Sequence, residues 1–241
     1  EAGKGYRLWI RAKAEGNYWA NDSVHAQFSG SVDAYGRAIW RIGTTDGAEY
    51  SLEPCSGCGV SGWGWEDNGW GSGVLGPIVR FATTGPQTIR IQTREDGVSI
   101  DQVVLSAVAY LSTSPGSLQN CSTILAETST TSVTSPSPES TSGSTTSEIV
   151  IPVAASATVR GAMKIVADST AAGGARIGTV DYGLPKLEYP YPSPADYFDV
   201  SFHAEAGRGY RIWMRGKAQS NHWGNDSAWV QFSGSVNAHG S

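Results

Sequence analysis

Charge is scarce in this chain. Asp, Glu, Lys and Arg make up 16% of the 241 residues, the net charge is −5, and the 17 Lys and Arg are scattered along the sequence. Without a basic field there is nothing to hold a phosphate backbone, so composition argues against a nucleic-acid partner. No apolar run approaches the ~20 residues that a membrane-spanning helix needs. Three cysteines are too few for a disulfide-framed scaffold, and the four histidines (His25, His203, His222, His239) lie away from the Cys55/Cys58 pair, which leaves a zinc centre short of ligands. Catalytic signatures are missing as well: there is no Gly-x-Ser-x-Gly elbow, no His-Glu-x-x-His and no phosphate-binding loop. Two acidic pairs, Glu66-Asp67 and Glu95-Asp96, are adjacent in sequence, and on a strand such neighbours point to opposite faces. The expectation is a protein without catalytic activity in this stretch.

What the chain does hold is 30 Gly, 9 Trp and 10 Tyr. A composition poor in helix formers and rich in turn formers and aromatics predicts an all-β protein. Its most informative feature is a repeat. Residues 1–37 return at 205–241, an offset of 204, with 23 of the 37 aligned positions identical. That spacing suits whole domains strung on linkers rather than a solenoid. The reading is therefore tandem: 1–111 as the rear of one β-sandwich module, 112–148 as a linker, and 149–241 as the front of the next. The chain reads as a window on a longer array, and 149–204 followed by 1–111 composes one whole unit. Exchange of halves between neighbouring chains is a further possibility, against which the duplicate counts, because two copies compete for one slot.

Strands follow from period-two alternation. Tyr6, Leu8, Ile10 and Ala12 share one face of 6–14, Val24, Ala26 and Phe28 one face of the next run, and the pair reads as consecutive strands of one sheet. Residues 38–52 predict a hairpin turning at Thr45-Asp46-Gly47, and 86–111 another, turning at Glu95-Asp96-Gly97. Between them lies 54–77, with eight glycines, Cys55, Cys58, Trp63, Trp65, Trp70 and the acidic Glu66 and Asp67. A loop this rich in glycine needs pins. Either the tryptophans face inward and a Cys55–Cys58 disulfide clips the loop, or at least one ring lies open to stack on a sugar while Glu66, Asp67 and Asn68 accept its hydroxyls. Residues 182–197, with four of the 11 prolines, predict an irregular segment over the sandwich, its Tyr189, Tyr191 and Tyr197 packed beneath the prolines.

The succession TTGPQTIRIQTREDGVSIDQVVLS at 83–106 resembles the last two strands of jelly-roll carbohydrate-binding modules of the family 6 and 35 type, in the galactose-binding-like superfamily, and IVIPVAASATVRGAMKIVADSTAAGG at 149–174 resembles their opening strands. The resemblance implies tandem jelly-roll domains, and a structural calcium held by Asp168 and Asp101. This chain carries Ala154-Ala155 where such modules have an acidic pair.

Residues 112–147 hold 21 Ser or Thr in 36 positions, a composition similar to mucin-like stalks. Thr130, Thr131, Ser132, Thr134 and Ser135 are candidates for O-glycosylation and Asn120, in Asn-Cys-Ser, for N-glycosylation. Cys121 is expected to be a solitary thiol. Taken together, the expectation is an extracellular or cell-surface tandem protein without enzymatic function. It serves either as a structural or adhesive segment of a fibre, whose partners are neighbouring copies and whose tryptophan loop, with Trp63, Trp65 and Trp70, is buried at contacts between domains, or as glycan-binding accessory modules of a larger secreted enzyme.

Overall fold

A computed structural model describes residues 6–10, 12–13, 23–53, 55–127, 148–204, 209–216 and 228–232. The described residues are almost entirely strand and loop; the one α-helical turn is Val153–Ser156.

Nine strands come from the first half of the chain: β1 (Tyr6–Ile10), β2 (Ala12–Lys13), β3 (Ser23–Phe28), β4 (Ser31–Val32), β5 (Ala48–Ser51), β6 (Gly64–Asp67), β7 (Ile78–Phe81), β8 (Gly85–Thr93) and β9 (Ser99–Ser106). Seven come from the second: β10 (Glu148–Pro152), β11 (Thr158–Arg160), β12 (Lys164–Ala167), β13 (Ala175–Gly178), β14 (Tyr197–Ala204), β15 (Gly209–Gly216) and β16 (Ala228–Phe232). They form two antiparallel sheets. The first is organised around β9, β6 and β7, the second around β8, β14 and β5.

The alternation in the sequence is realised as burial. Along β8, Ile89 and Ile91 point inward while Thr88 and Arg90 are half-exposed; along β14, Phe198, Val200 and Phe202 are buried and Ser201 and His203 open. These residues meet Val103 and Leu105 of β9, Phe28, Tyr50, Val79 and Phe81 in one core between the sheets. Phe81 packs edge-on against Phe202 with ring centroids 5.8 Å apart, and against Phe28 at 6.0 Å.

Periodicity told which face of β8 is buried, but not which strand lies beside it; the faces expected for Tyr6, Leu8, Ile10 and Ala12 and for Val24 and Ala26 lie outside the described side chains. β1 and β3, expected side by side, lie in different sheets, and so do β8 and β9. The turn expected to close the β8/β9 hairpin is instead a buried corner, Arg94 to Val98, that carries the chain from one sheet to the other. Nor is 38–52 a hairpin: β5 pairs with β3, and the Asp46 carboxylate accepts the Trp40 backbone N–H at 2.6 Å to fold 40–46 into a local turn. A strand that must show apolar residues to a core shared by two sheets satisfies that need equally well in either sheet.

The two halves assigned by sequence to successive modules meet in one sandwich. β10 and β13 pair with β9, and β14 pairs with β8 over eight residue pairs from Tyr197↔Gln92 to Ala204↔Gly85. The tract expected to be a linker from residue 112 packs against this sandwich through its first part. Val104 and Val150 point away from the core, onto the outer side of the first sheet, where they join Trp65 and Cys121, with Tyr110, Leu75 and Leu125 alongside. Ser and Thr fill 15 of the 20 positions 128–147 but 6 of the 16 positions 112–127, so the earlier part holds enough apolar side chains to bind as a strap.

Candidate functional site

Two aromatic segments were singled out by sequence, and they sit differently. In the first, β6 carries Trp65 beneath the strap, fully buried, with its indole N–H donating to the Thr123 carbonyl at 3.1 Å. Trp63 is also buried, and its indole N–H donates to Thr170 Oγ1 at 2.9 Å. The strap is stitched to this loop by backbone bonds: Cys121 N–H to the Trp63 carbonyl and Asn120 N–H to the Ser61 carbonyl, both 2.7 Å. Only Trp70, at the tip of a glycine turn, stands open, at 60% exposed. Glu66 and Asp67 are buried as well. Asp67 accepts the N–H groups of Gly69 (2.9 Å) and Gly76 (3.0 Å), closing the loop on itself, while Asn68 is half-buried. The expected sugar acceptors are therefore turned inward. The Cys55–Cys58 disulfide is formed, and Cys121 is buried and takes part in no disulfide among the described residues.

The second segment reverses its expectation. Tyr182, Tyr189 and Tyr191 are 69%, 67% and 54% exposed, and Leu184 stands out beside them. Their backbone is nonetheless fixed. Asp96 Oδ2 accepts the N–H of Tyr182 at 2.6 Å and of Leu184 at 3.3 Å, the Arg94 carbonyl accepts Leu187 N–H at 2.8 Å, and the Gln92 amide exchanges two 3.0 Å bonds with the backbone of Tyr191. Pro190 is buried against Gln27 and Gly47; a Cβ on Gly47 would stand 3.0 Å from the Pro190 ring, a tight contact that glycine avoids. Pro190 thus packs down, while Pro185 and Pro192 stay exposed and Tyr182, Tyr189 and Tyr191 point out. The result is a ledge of phenol rings on the outer side of the second sheet. Below it, Arg90 lies 4.1 Å from the centroid of the half-buried Tyr197 ring and forms a two-pronged pair with Asp199 at 2.8 Å on each prong.

Burial pushes the Asp96 carboxyl above its usual range, against the pull of the Tyr182 and Leu184 N–H donors; the Asp181 charge pushes the same way. An acidic group with two backbone partners at the root of the ledge is the feature sequence reasoning missed. The available signal was the proline density of 182–197, since proline restricts the backbone before any contact is made.

A shallow open groove of about 480 Å³ runs beside Trp63, lined by Gly62, Asn120, Ser122, Ile124 and Thr170. Its one aromatic ring is buried and offers no face for stacking. Asn120, the N-glycosylation candidate, is exposed, and its Oδ1 accepts from Ser61 at 2.9 Å. The O-glycosylation candidates Thr130, Thr131, Ser132, Thr134 and Ser135 lie outside the described residues.

The two aspartates named for calcium do converge on the loop 168–174, but as anchors of that loop. Asp101, buried, accepts Ala172 N–H at 2.5 Å; Asp168 Oδ1 accepts the N–H and hydroxyl of Thr170, and its other oxygen lies 3.4 Å from Arg176 Nε. Calcium asks for six to eight oxygens. Two carboxylates, one of them paired with a guanidinium, do not fit that demand, and no cluster of three or more His, Cys, Asp or Glu able to hold a metal occurs among the described residues.

No family model, no curated protein and no solved structure matches the chain. Class rests on the fold, an all-β sandwich of antiparallel sheets with a disulfide-clipped loop.

Proposed function

We propose that the protein is a non-catalytic β-sandwich that binds glycan on the tyrosine ledge, in an extracellular or cell-surface setting. The observation that carries this reading is that Tyr182, Tyr189 and Tyr191 are exposed on a backbone already fixed by Gln92, Arg94 and Asp96. Tyrosine offers an apolar face for the C–H side of a pyranose and a hydroxyl for its polar rim, with few rotatable bonds to immobilise. A ledge ordered before binding avoids the loop-ordering cost that otherwise weakens a weak ligand. Exposed Glu49 and Lys186, ion-paired with Arg94 and Glu95, and exposed Glu188 supply further acceptors and a donor at its border.

The test is a glycan array followed by calorimetry on the unaltered chain and on Tyr189→Ala/Tyr191→Ala. Binding falls at least about tenfold in the variant, since a stacked ring contributes on the order of 1–2 kcal/mol, while the circular dichroism spectrum and melting curve stay unchanged. Trp70→Ala serves as the control and leaves affinity as it was. No binding to any glycan, or equal loss from Trp70→Ala, would sink the assignment to the ledge.

A second reading, a structural or adhesive unit of a surface fibre, is supported by the repeat, since a chain that carries one 37-residue segment twice is suited to serial assembly. It no longer draws on the tryptophan loop, because Trp63 and Trp65 are covered by their own chain. Electron microscopy of native material separates the readings: a regular axial repeat supports the fibre, and separate beads leave the binder.

A further inference from the structure

One edge of a strand offers each backbone N–H and C=O to a single ladder partner, so two strands cannot hold the same edge at once. Here both copies of the repeat claim the same edges. On β9, the first copy pairs Arg7↔Ser106, Leu8↔Leu105 and Trp9↔Val104, and the second pairs Arg211↔Ser106, Ile212↔Leu105 and Trp213↔Val104. The offset is 204 in every pair. The opposite edge of β9 belongs to β10, which meets the same Ser106, Leu105 and Val104. In the second sheet, Ala26 and Val230 both pair with Ile91 of β8, whose other edge is held by Phe198 of β14. Glu66 of β6 is likewise shared by Ile10 and Met214, and Val79 of β7 by Tyr6 and Tyr210. The walls of this slot, β5 to β9, all lie within residues 48–106, so either copy meets the same partners in the same register.

We propose that the two copies are interchangeable occupants of one slot, and that the copy left out is a donor of strands to a second copy of this chain whose slot is empty. The recognition is a backbone ladder in fixed register on two sheets at once, and the fitting partner is the same protein because the spare segment is what the slot is built to hold. Among the described residues there are then two donors and one slot. In solution the slot fills from within, because a tethered segment acts at an effective concentration on the order of millimolar.

Proline tests this directly, since β1, β3, β15 and β16 are each paired on both edges and proline removes a ladder donor wherever it falls. Leu8→Pro/Ala26→Pro blocks the first copy and Ile212→Pro/Val230→Pro the second. Each blocked chain keeps a cooperative melting transition, whereas the chain with all four substitutions loses it. Mixed one to one with the unaltered chain, the fourfold variant regains a transition and elutes with it as a 1:1 complex of about twice the monomer mass, by light scattering after size exclusion; mixed with either singly blocked chain, it gains nothing. Loss of the fold on blocking one copy alone would overturn interchangeability. An intact melt in the fourfold variant, a failure of the unaltered chain to rescue it, or equal rescue by a singly blocked chain would each overturn donation.

Discussion

The tryptophan loop at 54–77 and the tyrosine segment at 182–197 have similar aromatic content and opposite orientations. The first is glycine-rich, and its backbone has little order of its own. Gly62 sits at φ +64° with the Asn120 side chain 2.6 Å from where a Cβ would be, and a Cβ on Gly69 would lie 2.1 Å from the Val74 carbonyl oxygen. Such a loop is held by what it buries, so Trp63 and Trp65 turn inward and the strap closes over them. The second is proline-rich, restricted before folding, and tied by backbone hydrogen bonds to Gln92, Arg94 and Asp96. It does not need its rings for order. They are left for a ligand.

The largest expected effect breaks this comparison at its buried end. Trp65→Ala removes a fully buried indole and the bond to Thr123, and is expected to destabilise by about 3–5 kcal/mol in chemical denaturation. Trp70→Ala, on the same loop but exposed, is expected to stay within about 0.5 kcal/mol. Equal costs at the two positions would mean that the loop is pinned through its tip and not through the strap.

How much of this was legible beforehand differs by level. The all-β class followed from composition, and the inward face of β8, Ile89 and Ile91, from alternation, because burial of one strand face is a local, period-two property. Strand neighbours were not legible. Gln92 and Tyr191, 99 positions apart, meet only because β14 lies beside β8. The fate of Trp63 and Trp65 turned on the strap, and the strap was hidden because Cys121 and Leu125 were averaged into a longer Ser/Thr tract. Among candidate site residues the Cys55–Cys58 clip was readable from spacing, whereas the backbone that presents the tyrosines is held by remote groups, Gln92 at Tyr191 and Asp96 at Tyr182.

A smaller effect sharpens the comparison at the ledge. Because burial raises the folded Asp96 carboxyl above its ordinary value of 3.8, the native state holds that proton more tightly than the unfolded chain does. Its contribution is full below 3.8 and is lost as pH rises through the raised folded value. Asp96→Asn keeps an oxygen for the Tyr182 and Leu184 N–H groups and removes the charge. Urea midpoints measured against pH should therefore show the variant gaining on the unaltered chain as pH rises through this window, with the curves converging in more acid solution. A variant that loses ground with rising pH would show the Asp96 carboxylate to be stabilised in the fold.

The smallest effect concerns the floor beneath the tryptophan loop. Tyr50 is buried in the core, its hydroxyl has no hydrogen-bond partner among the described residues, and burial together with the nearby Asp67 charge holds that hydroxyl well above its usual range. A hydroxyl taken out of water without a partner is a cost that the ring's packing must offset. Tyr50→Phe keeps the ring and removes the cost, so stability should be unchanged or raised by up to about 1 kcal/mol. Asp67 would keep its bonds to Gly69 and Gly76, and the loop its closure. A loss of more than about 1 kcal/mol would instead mark the hydroxyl as a second tie on the loop. The tryptophan loop would then be tied to the core through Tyr50 in addition to its indoles, the Asp67 bonds and the strap, and the contrast with the tyrosine segment would narrow to which side chains each leaves in solvent.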